Sequence, residues 1–363
     1  MSRRVPAGDR LSRAPAPAGP RPWSWPLLDA IERLALTLWP ARLRPWTPWL
    51  FLVPALLLVG TLAIGVGTMA ELGLHELDLA TYRLGEEYTL ANYAAIVDKP
   101  FYARVLGRTL LAAVLVTGLT LCLAFPYAYA LVRTRSSLAR KALLVALFLP
   151  FFVGQVVRGY GWLIVLGQQG ILNTLLGQLG LGPFELIHHF PAVVFGLVQY
   201  MLPFAILLIV PALASIGEEI ELASESLGAR WPATLRHVVL PMARPGLVGA
   251  GIVVFTLTLT DFAMPEILGG GGTDFFANAI YDAFFQLSNA GLGSALGMIL
   301  VVVGSLAVAL ALLAFGGGAL GVREPFEHDK HDERAGRGSA DHAAGAGTSG
   351  GTSGENGAGE AAS

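Results

Sequence analysis

Long apolar stretches separated by shorter polar segments run along most of the chain. Six of these stretches are long enough to cross a bilayer as helices, since a span takes about 20 residues. They lie near 48–70, 106–131, 142–166, 191–214, 246–268 and 292–315. Prolines inside these runs, such as Pro150 and Pro203, predict kinks. The pattern predicts an all-α, polytopic membrane protein with six transmembrane helices.

The two ends of the chain have a different character. Residues 1–22 are rich in Arg, Pro and Ala and predict a disordered arm, and 25–46 has the spacing of an interfacial helix or a lead-in to the first span. The Gly/Ala/Ser-rich tail predicts disorder as well. We therefore divide the chain into an N-terminal arm (1–47), a transmembrane domain (48–320) and a tail (321–363).

Composition supports a membrane protein. Hydrophobic residues make up 54% of the 363 residues and charged residues only 14%, whereas a soluble domain has about 25% charged residues. The single cysteine, Cys122, excludes an intramolecular disulfide.

The basic residues of the loops predict the orientation. Eight arginines lie in the N-terminal arm and four basic residues in "RTRSSLARK" between spans two and three, whereas segments 167–190 and 269–291 have none. Short loops rich in Lys and Arg stay on the cytoplasmic side. We expect both termini and the polar stretch 216–245 to lie in the cytoplasm.

Several kinds of chemistry are excluded by the sequence. None of the three lysines follows a glycine, so a phosphate-binding loop is absent and any nucleotide must be bound by a partner. The chain lacks paired catalytic carboxylates, a nucleophile elbow, zinc-ligand spacing and a basic nucleic-acid patch, and His188-His189 has no neighbouring ligands for a metal. We expect no enzymatic activity, metal, cofactor or nucleic-acid partner.

The polar stretch 216–245 predicts two short helices joined by a turn. A first helix over 216–228 carries four glutamates, for which a solvated face is the default, and Gly228 can end it because glycine adopts left-handed angles cheaply. A second helix fits "WPATLRHVV", with Pro232 in its first turn. We expect Leu240-Pro241 to stop that helix and Pro245-Gly246 to begin the next span.

"LASESLGARWPATLRHVVLP" within this stretch resembles the coupling motif of binding-protein-dependent ABC importer permeases, a glutamate and two alanines before a glycine, followed by Leu-Pro. The residues at matching positions are Ala223, Ser224, Gly228, Ala229, Leu240 and Pro241. Ser224 replaces the second alanine. Leu222 stands at the family's glutamate position, and the neighbouring Glu221 points about 100° away round a helix, so we do not treat it as equivalent.

The resemblance covers roughly 50–320 and extends to the polyamine-type subgroup, which includes spermidine/putrescine permeases. "LPFFVGQVVRGYGWLIVLGQQGILNTLLGQLGL" and "FTLTLTDFAMPEILGG" are similar to that subgroup. The resemblance implies a type I importer fold. It also implies a bacterial inner-membrane location, a cytoplasmic ATPase dimer that the coupling loop contacts, and a periplasmic or lipid-anchored solute-binding protein. The partner permease is identical or related, and in the polyamine-type subgroup it is usually a different chain. The acidic residues of the loop are candidates to meet basic ATPase residues.

Charged and aromatic residues inside the spans are candidates for the translocation path, because intramembrane charge is costly. Asp261 suits a cationic substrate such as a polyamine or makes a structural hydrogen bond. Arg158 is an alternative partner for Asp261, and Glu266 lies near the end of the fifth span. Tyr160 and Trp162 can stack on a substrate or anchor at the interface.

Other functions remain open. A stand-alone secondary transporter should show internal repeats with broken helices, and no convincing repeat is seen. A membrane-embedded enzyme or scaffold has no supporting residue constellation. Among importers, permeases for ferric iron, thiamine, phosphonates or amino-acid-like solutes are alternatives to polyamine.

Overall fold

The computed structural model describes residues 47–78 and 80–315. The predicted arm up to residue 46 and the predicted tail 321–363 lie outside these residues. The chain divides into two units, Met1–Glu71 and Leu72–Ser363. In the first, the described part belongs to one apolar helix, α1 (Thr47–Leu72), which contains Pro54.

The described part of the second unit, 72–78 and 80–315, consists of helices with one short hairpin. Its strands are β1 (His75–Asp78) and β2 (Arg83–Tyr88). Its first helices are α2 (Ala91–Asp98), α3 (Pro100–Arg133), α4 (Ser137–Phe148), α5 (Gln155–Leu166), α6 (Ile171–Gln178) and α7 (Phe190–Ala214), with a 3₁₀ turn at Leu149–Phe152. The later helices are α8 (Glu218–Ser226), α9 (Trp231–Thr234), α10 (Leu240–Met242), α11 (Arg244–Leu259), α12 (Ala263–Gly269), α13 (Phe276–Tyr281) and α14 (Ala290–Phe315).

The helices confirm the predicted membrane fold, with two spans less regular than the apolar pattern suggests. Four helices are long and apolar enough to cross a membrane, and up to six spans exist if each of two bent pairs is one span. The predicted span 142–166 is broken between the 3₁₀ turn and α5, where the axes bend by 99°. The predicted span 246–268 is also interrupted, because α11 ends at Leu259 and α12 begins at Ala263. Continuous hydrophobicity does not report such breaks.

The core of the second unit forms where α3 packs along α7 and α11. Small residues allow close approach: a Cβ on Gly246 would lie 2.3 Å from the Cβ of Ala212, and Ala124 and Ala128 of α3 are fully buried. Helices that approach this closely exclude larger side chains. The long helix α3 is therefore held by two neighbours along its length.

The hairpin β1–β2 was not predicted, and it adds a small antiparallel sheet to an otherwise helical chain. The Asp78 carboxylate accepts hydrogen bonds from the Ala80 N–H at 2.9 Å and the Thr81 hydroxyl at 2.8 Å. These bonds hold the pKa of Asp78 below its usual value. Asn92 donates to the carbonyls of Gly73 and His75, which ties the hairpin to α2.

Candidate functional site

The polar stretch folds into two helical segments joined at Gly228, and we name residues 218–242 the polar hairpin. Gly228 has φ +87°, in the left-handed region. The Ala229 N–H donates to the Ser224 carbonyl at 3.2 Å and the Gly228 N–H to the Glu225 carbonyl at 2.8 Å. This pair of bonds is the Schellman motif, which satisfies carbonyls at a helix C-terminus. The predicted glycine turn is confirmed.

The predicted stop at Leu240-Pro241 is wrong. The helical segment that begins at Trp231 passes through a π-helical turn at Leu235–Val239 and ends at Met242. Proline inside a regular α-helix clashes with the carbonyl four residues earlier. The wider π turn, in which the Leu240 N–H bonds to the Leu235 carbonyl, accommodates Pro241 instead. The bend of 70° comes after Met242, before α11.

Glu221 does not lie on the solvated face expected for the glutamates of this stretch. It forms an ion pair with Arg133 at the C-terminus of α3, with Nη2–Oε1 2.5 Å and Nε–Oε1 2.8 Å. The other oxygen, Oε2, accepts a hydrogen bond from the Tyr129 hydroxyl at 2.7 Å. The two charged side chains are only 15% and 13% exposed. Both carboxylate oxygens are thus satisfied within the protein.

The same contacts reach both halves of the polar hairpin. Arg133 Nη2 also donates to the Ile216 carbonyl at 2.8 Å, and the Trp231 indole donates to the Tyr129 hydroxyl at 3.3 Å. The rings of Tyr129 and Trp231 pack edge to face, with centroids 6.1 Å apart. The end of α3 therefore contacts α8, α9 and the connection between α7 and α8.

The residues that match the resemblance to a coupling motif lie mostly on the surface of the polar hairpin. Ala223, Leu240 and Pro241 are exposed and Ala229 is half-buried, while Ser224 faces the second segment through its hydroxyl. Leu222 is exposed, so the position where a glutamate was expected presents an apolar side chain outward. Leu227 next to the turn is 90% exposed. The hairpin thus offers an apolar surface around its tip.

Asp261 lies in the interruption between α11 and α12, and it is only 8% exposed. Its Oδ1 accepts a hydrogen bond from the Met264 N–H at 2.9 Å, and its Oδ2 accepts one from the Gln155 side chain. The first bond satisfies an N–H of the first turn of α12. The carboxylate therefore joins the starts of two interrupted helices, α5 and α12.

Arg158 has other partners than Asp261 among the described residues. Its guanidinium donates to the carbonyls of Pro150 and Val153 beside the break before α5, and it lies 5.3 Å from the centre of the Tyr200 ring. The suggested Arg158–Asp261 ion pair is therefore not formed. Arg158 helps to line a groove of about 470 Å³ whose wall includes Trp162 and Gln199.

The two candidate aromatic residues of α5 differ in their surroundings. Tyr160 is exposed. Trp162 packs edge to face against Phe195, with centroids 4.7 Å apart, and its indole lies 3.4 Å from the Gln199 side-chain oxygen. Only Trp162 is brought together with Arg158 in the groove.

Glu266 belongs to an acidic region near α12 and α13. Its Oε2 accepts a hydrogen bond from Asn278 at 2.9 Å. Burial, followed by repulsion from Glu266 and Asp282, raises the pKa of Asp274. Burial and repulsion from Glu266 likewise raise the pKa of Asp282. Arg108 is the neighbouring cation that opposes the shift of Asp274. The region carries excess negative charge.

Sequence reasoning missed Arg133, Tyr129 and Asn278 as members of these sites. Arg133 and Glu221 are 88 positions apart, so no local spacing could have joined them. The sequence feature that could have indicated Arg133 was its place at the end of a long apolar helix. No group of three or more metal-binding side chains occurs in the parts of the chain that the structure describes.

Comparison with known sequences identifies the family of this chain. Residues 121–316 match the family described as binding-protein-dependent transport system inner membrane component. The inner membrane ABC transporter permease protein YdcU of Escherichia coli K12 is 32% identical over 249 residues, which cover 65% of this chain and 79% of the relative. The spermidine/putrescine transport system permease protein PotB of Haemophilus influenzae is 30% identical over 229 residues, covering 62% and 77%.

A solved structure shares the fold. A chain of a bacterial alginate ABC transporter, crystallised in complex with an alginate pentasaccharide-bound periplasmic protein, superimposes with a TM-score of 0.59 and 18% sequence identity. The alignment covers 74% of this chain and 93% of that chain.

Proposed function

Since this chain belongs to the family of binding-protein-dependent transport system inner membrane components and is a permease subunit of an ABC importer, we propose that it imports a polyamine such as spermidine or putrescine. The chain is a multi-pass protein of the inner membrane and a transport component, not an enzyme. In this proposal a partner ATPase dimer binds and hydrolyses ATP, and a periplasmic or lipid-anchored protein delivers the solute. A second, different permease chain completes the path.

The polar hairpin is the surface on which we propose that an ATPase docks. Its turn is fixed by the Schellman motif at Gly228, and its tip presents Leu227 with 90% of the side chain exposed. A large apolar side chain exposed beside a rigid turn is typical of an interaction surface when its apolar neighbours extend the patch. Leu222 on the same hairpin is 55% exposed. The basic loops of the sequence support a cytoplasmic position for this surface and for both termini.

Polyamine is supported by relatives named as spermidine/putrescine permeases, at 28 to 30% identity. The excess of carboxylates around Glu266, Asp274 and Asp282 also suits the approach of a solute with several positive charges. Asp261 contributes a buried carboxylate between α5 and α12, although its oxygens already accept hydrogen bonds from Gln155 and Met264.

One observation favours a second candidate solute class. Arg158 is the charged residue of the 470 Å³ groove, and its neighbours there include Trp162 and Gln199. A cation in a groove attracts a carboxylate or phosphonate group rather than an ammonium group. An amino-acid-like or phosphonate solute would use this groove. Binding measurements on the co-encoded solute-binding protein with a panel of polyamines, amino acids and phosphonates separate the two classes.

The coupling proposal is tested by co-purification of the tagged full chain with its ATPase, together with solute uptake. Leu227→Asp, Gly228→Ala and Leu240→Asp should lower both ATPase retention and uptake. Two controls carry matched changes. Leu138→Asp alters a leucine outside the hairpin that is 77% exposed, between Leu240 at 38% and Leu227 at 90%. Gly217→Ala has φ −63° and open space around the new methyl group. Normal retention and uptake in all three hairpin variants would refute the proposal.

A further inference from the structure

The contacts between Arg133 and Glu221 suggest a role beyond holding the polar hairpin in place. The hairpin is covalently continuous with α7 before it and with α11 after it. Helix α3, in contrast, is separated from the hairpin by more than 80 residues, and its last turn is joined to it through side chains.

We propose that the Arg133–Glu221 ion pair is the element that transmits displacement of the polar hairpin to α3, so that Arg133 and Glu221 are positioning residues for transport. This inference rests on the proposed function, because it requires an ATPase that moves the hairpin.

The hydrogen bonds of Glu221 support transmission of movement to α3 rather than a loose surface contact. Arg133 donates through Nε and Nη2 to one carboxylate oxygen of Glu221, and Tyr129, one helical turn earlier, donates to the other. Charge-assisted bonds from two successive turns of α3 fix the carboxylate in direction as well as distance. Because the pair is largely shielded from water, its attraction is screened less than that of an exposed pair.

Contacts within the polar hairpin also join its two helical segments, as the proposed role requires. The Ser224 hydroxyl lies 3.0 Å from the Thr234 hydroxyl and joins α8 to α9. Trp231 at the start of α9 bonds to Tyr129 of α3. A displacement of either helical segment therefore reaches the same turn of α3. Helix α3 in turn packs along α7 and α11, so its movement changes the centre of the bundle.

A second ion pair in the same region provides a matched control. Arg135 Nη2 and Glu218 Oε2 are 3.8 Å apart, and their side chains are 88% and 53% exposed. Exposed pairs of this kind contribute little. Arg135→Gln makes the same change as Arg133→Gln, two residues along the chain and outside the polar hairpin, without removing a shielded pair.

The experiment measures solute uptake, ATPase retention and ATP hydrolysis of the full transporter in proteoliposomes. Glu221→Gln and Arg133→Gln should keep the ATPase bound and basal hydrolysis near the wild-type rate, while solute imported per ATP falls by about tenfold through loss of charge-assisted bonds. Arg135→Gln should behave as the wild type, because it lies outside the polar hairpin and its ion pair is exposed. The double variant Glu221→Gln/Arg133→Gln should lose no more than the worse single variant, because both changes break one link.

Reversal of the pair, Arg133→Glu with Glu221→Arg, should restore part of the uptake that each reversed single variant loses. If the single neutral variants retain the wild-type ratio of uptake to hydrolysis, or if their losses multiply in the double variant, the inference is overturned. Should Glu221→Gln fail to reach the membrane, Arg133→Lys with Tyr129→Phe gives the same readout with smaller changes. Failure of the wild-type chain to retain an ATPase would refute the proposed function instead.

Discussion

The hydroxyl of Ser224 lies 3.0 Å from the hydroxyl of Thr234, across the two segments of the polar hairpin. Thr234 is only 2% exposed, so water cannot replace this partner. The serine that departs from the family's second alanine therefore makes a contact between helices that an alanine could not make.

Ser224→Ala should loosen the hairpin because it leaves the buried Thr234 hydroxyl without this hydrogen bond. We expect a cost of about 1–2 kcal/mol and a lower ATPase retention. The thermal midpoint of the detergent-purified chain and co-purification measure the two effects. Ser226→Ala is the control, since Ser226 bonds to the Leu222 carbonyl of its own helix at an exposed position. Equal behaviour of the two variants would contradict the prediction.

Asp261→Ala should destabilise the protein by about 1–2 kcal/mol, because it leaves the Met264 N–H and the Gln155 side chain without their acceptor. Asp261→Asn keeps an oxygen for the Met264 N–H and should cost less. Chemical denaturation followed by near-ultraviolet circular dichroism gives the comparison. If both variants unfold like the wild type, while uptake alone falls, the carboxylate serves the solute rather than the fold.

Gly246→Ala should destabilise the contact between α7 and α11, because the new methyl group would lie 2.3 Å from the Cβ of Ala212. Overpacking of this kind costs about 1–3 kcal/mol. Gly249→Ala, one turn along the same helix, meets no atom within 4 Å. We expect a lower thermal midpoint for the first variant only; an unchanged midpoint for Gly246→Ala would mean that the helices can separate at low cost.

Asp274→Asn should raise the thermal midpoint at neutral pH. Burial, with repulsion from Glu266 and Asp282, raises the pKa of Asp274 in the folded protein. An acid with a raised folded pKa binds protons more readily when folded, so its ionised form opposes folding above that pKa, and the cost fades as the pH falls through it. The gain from Asp274→Asn should therefore shrink in acid. The exposed Glu87→Gln should show no comparable trend, and a constant gain at every pH would disprove the electrostatic cause.

Much of the fold could be predicted from hydrophobic length alone. The spans near 48–70, 106–131, 191–214 and 292–315 correspond to α1, α3, α7 and α14. Hydrophobic length does not reveal the breaks beside Gly154 and Asp261. The backbone groups that these breaks expose are satisfied by polar side chains within the same apolar stretches, since Arg158 donates to the Val153 carbonyl and Asp261 accepts from the Met264 N–H.

Some parts of the site could be predicted from the sequence and others could not. Gly228 ends a helix by local backbone geometry, which sequence reveals, whereas the direction of Glu221 depends on Arg133, 88 residues away. Pro241 shows the limit of local rules, since a π-helical turn tolerates a proline that an α-helix would not.

The length of α3 has a mechanical consequence. Its 34 residues extend for about 50 Å, well beyond the hydrocarbon core of about 30 Å. Near one end, Arg108 bonds to the Gly272 carbonyl at 2.7 Å, and at the other, Arg133 bonds to Glu221. If the helix tilts about its midpoint, each degree moves Arg133 by roughly 0.4 Å and Arg108, which lies closer to the midpoint, by roughly 0.2 Å in the opposite direction. A tilt in which Arg133 follows the polar hairpin would therefore displace Arg108 from the Gly272 carbonyl.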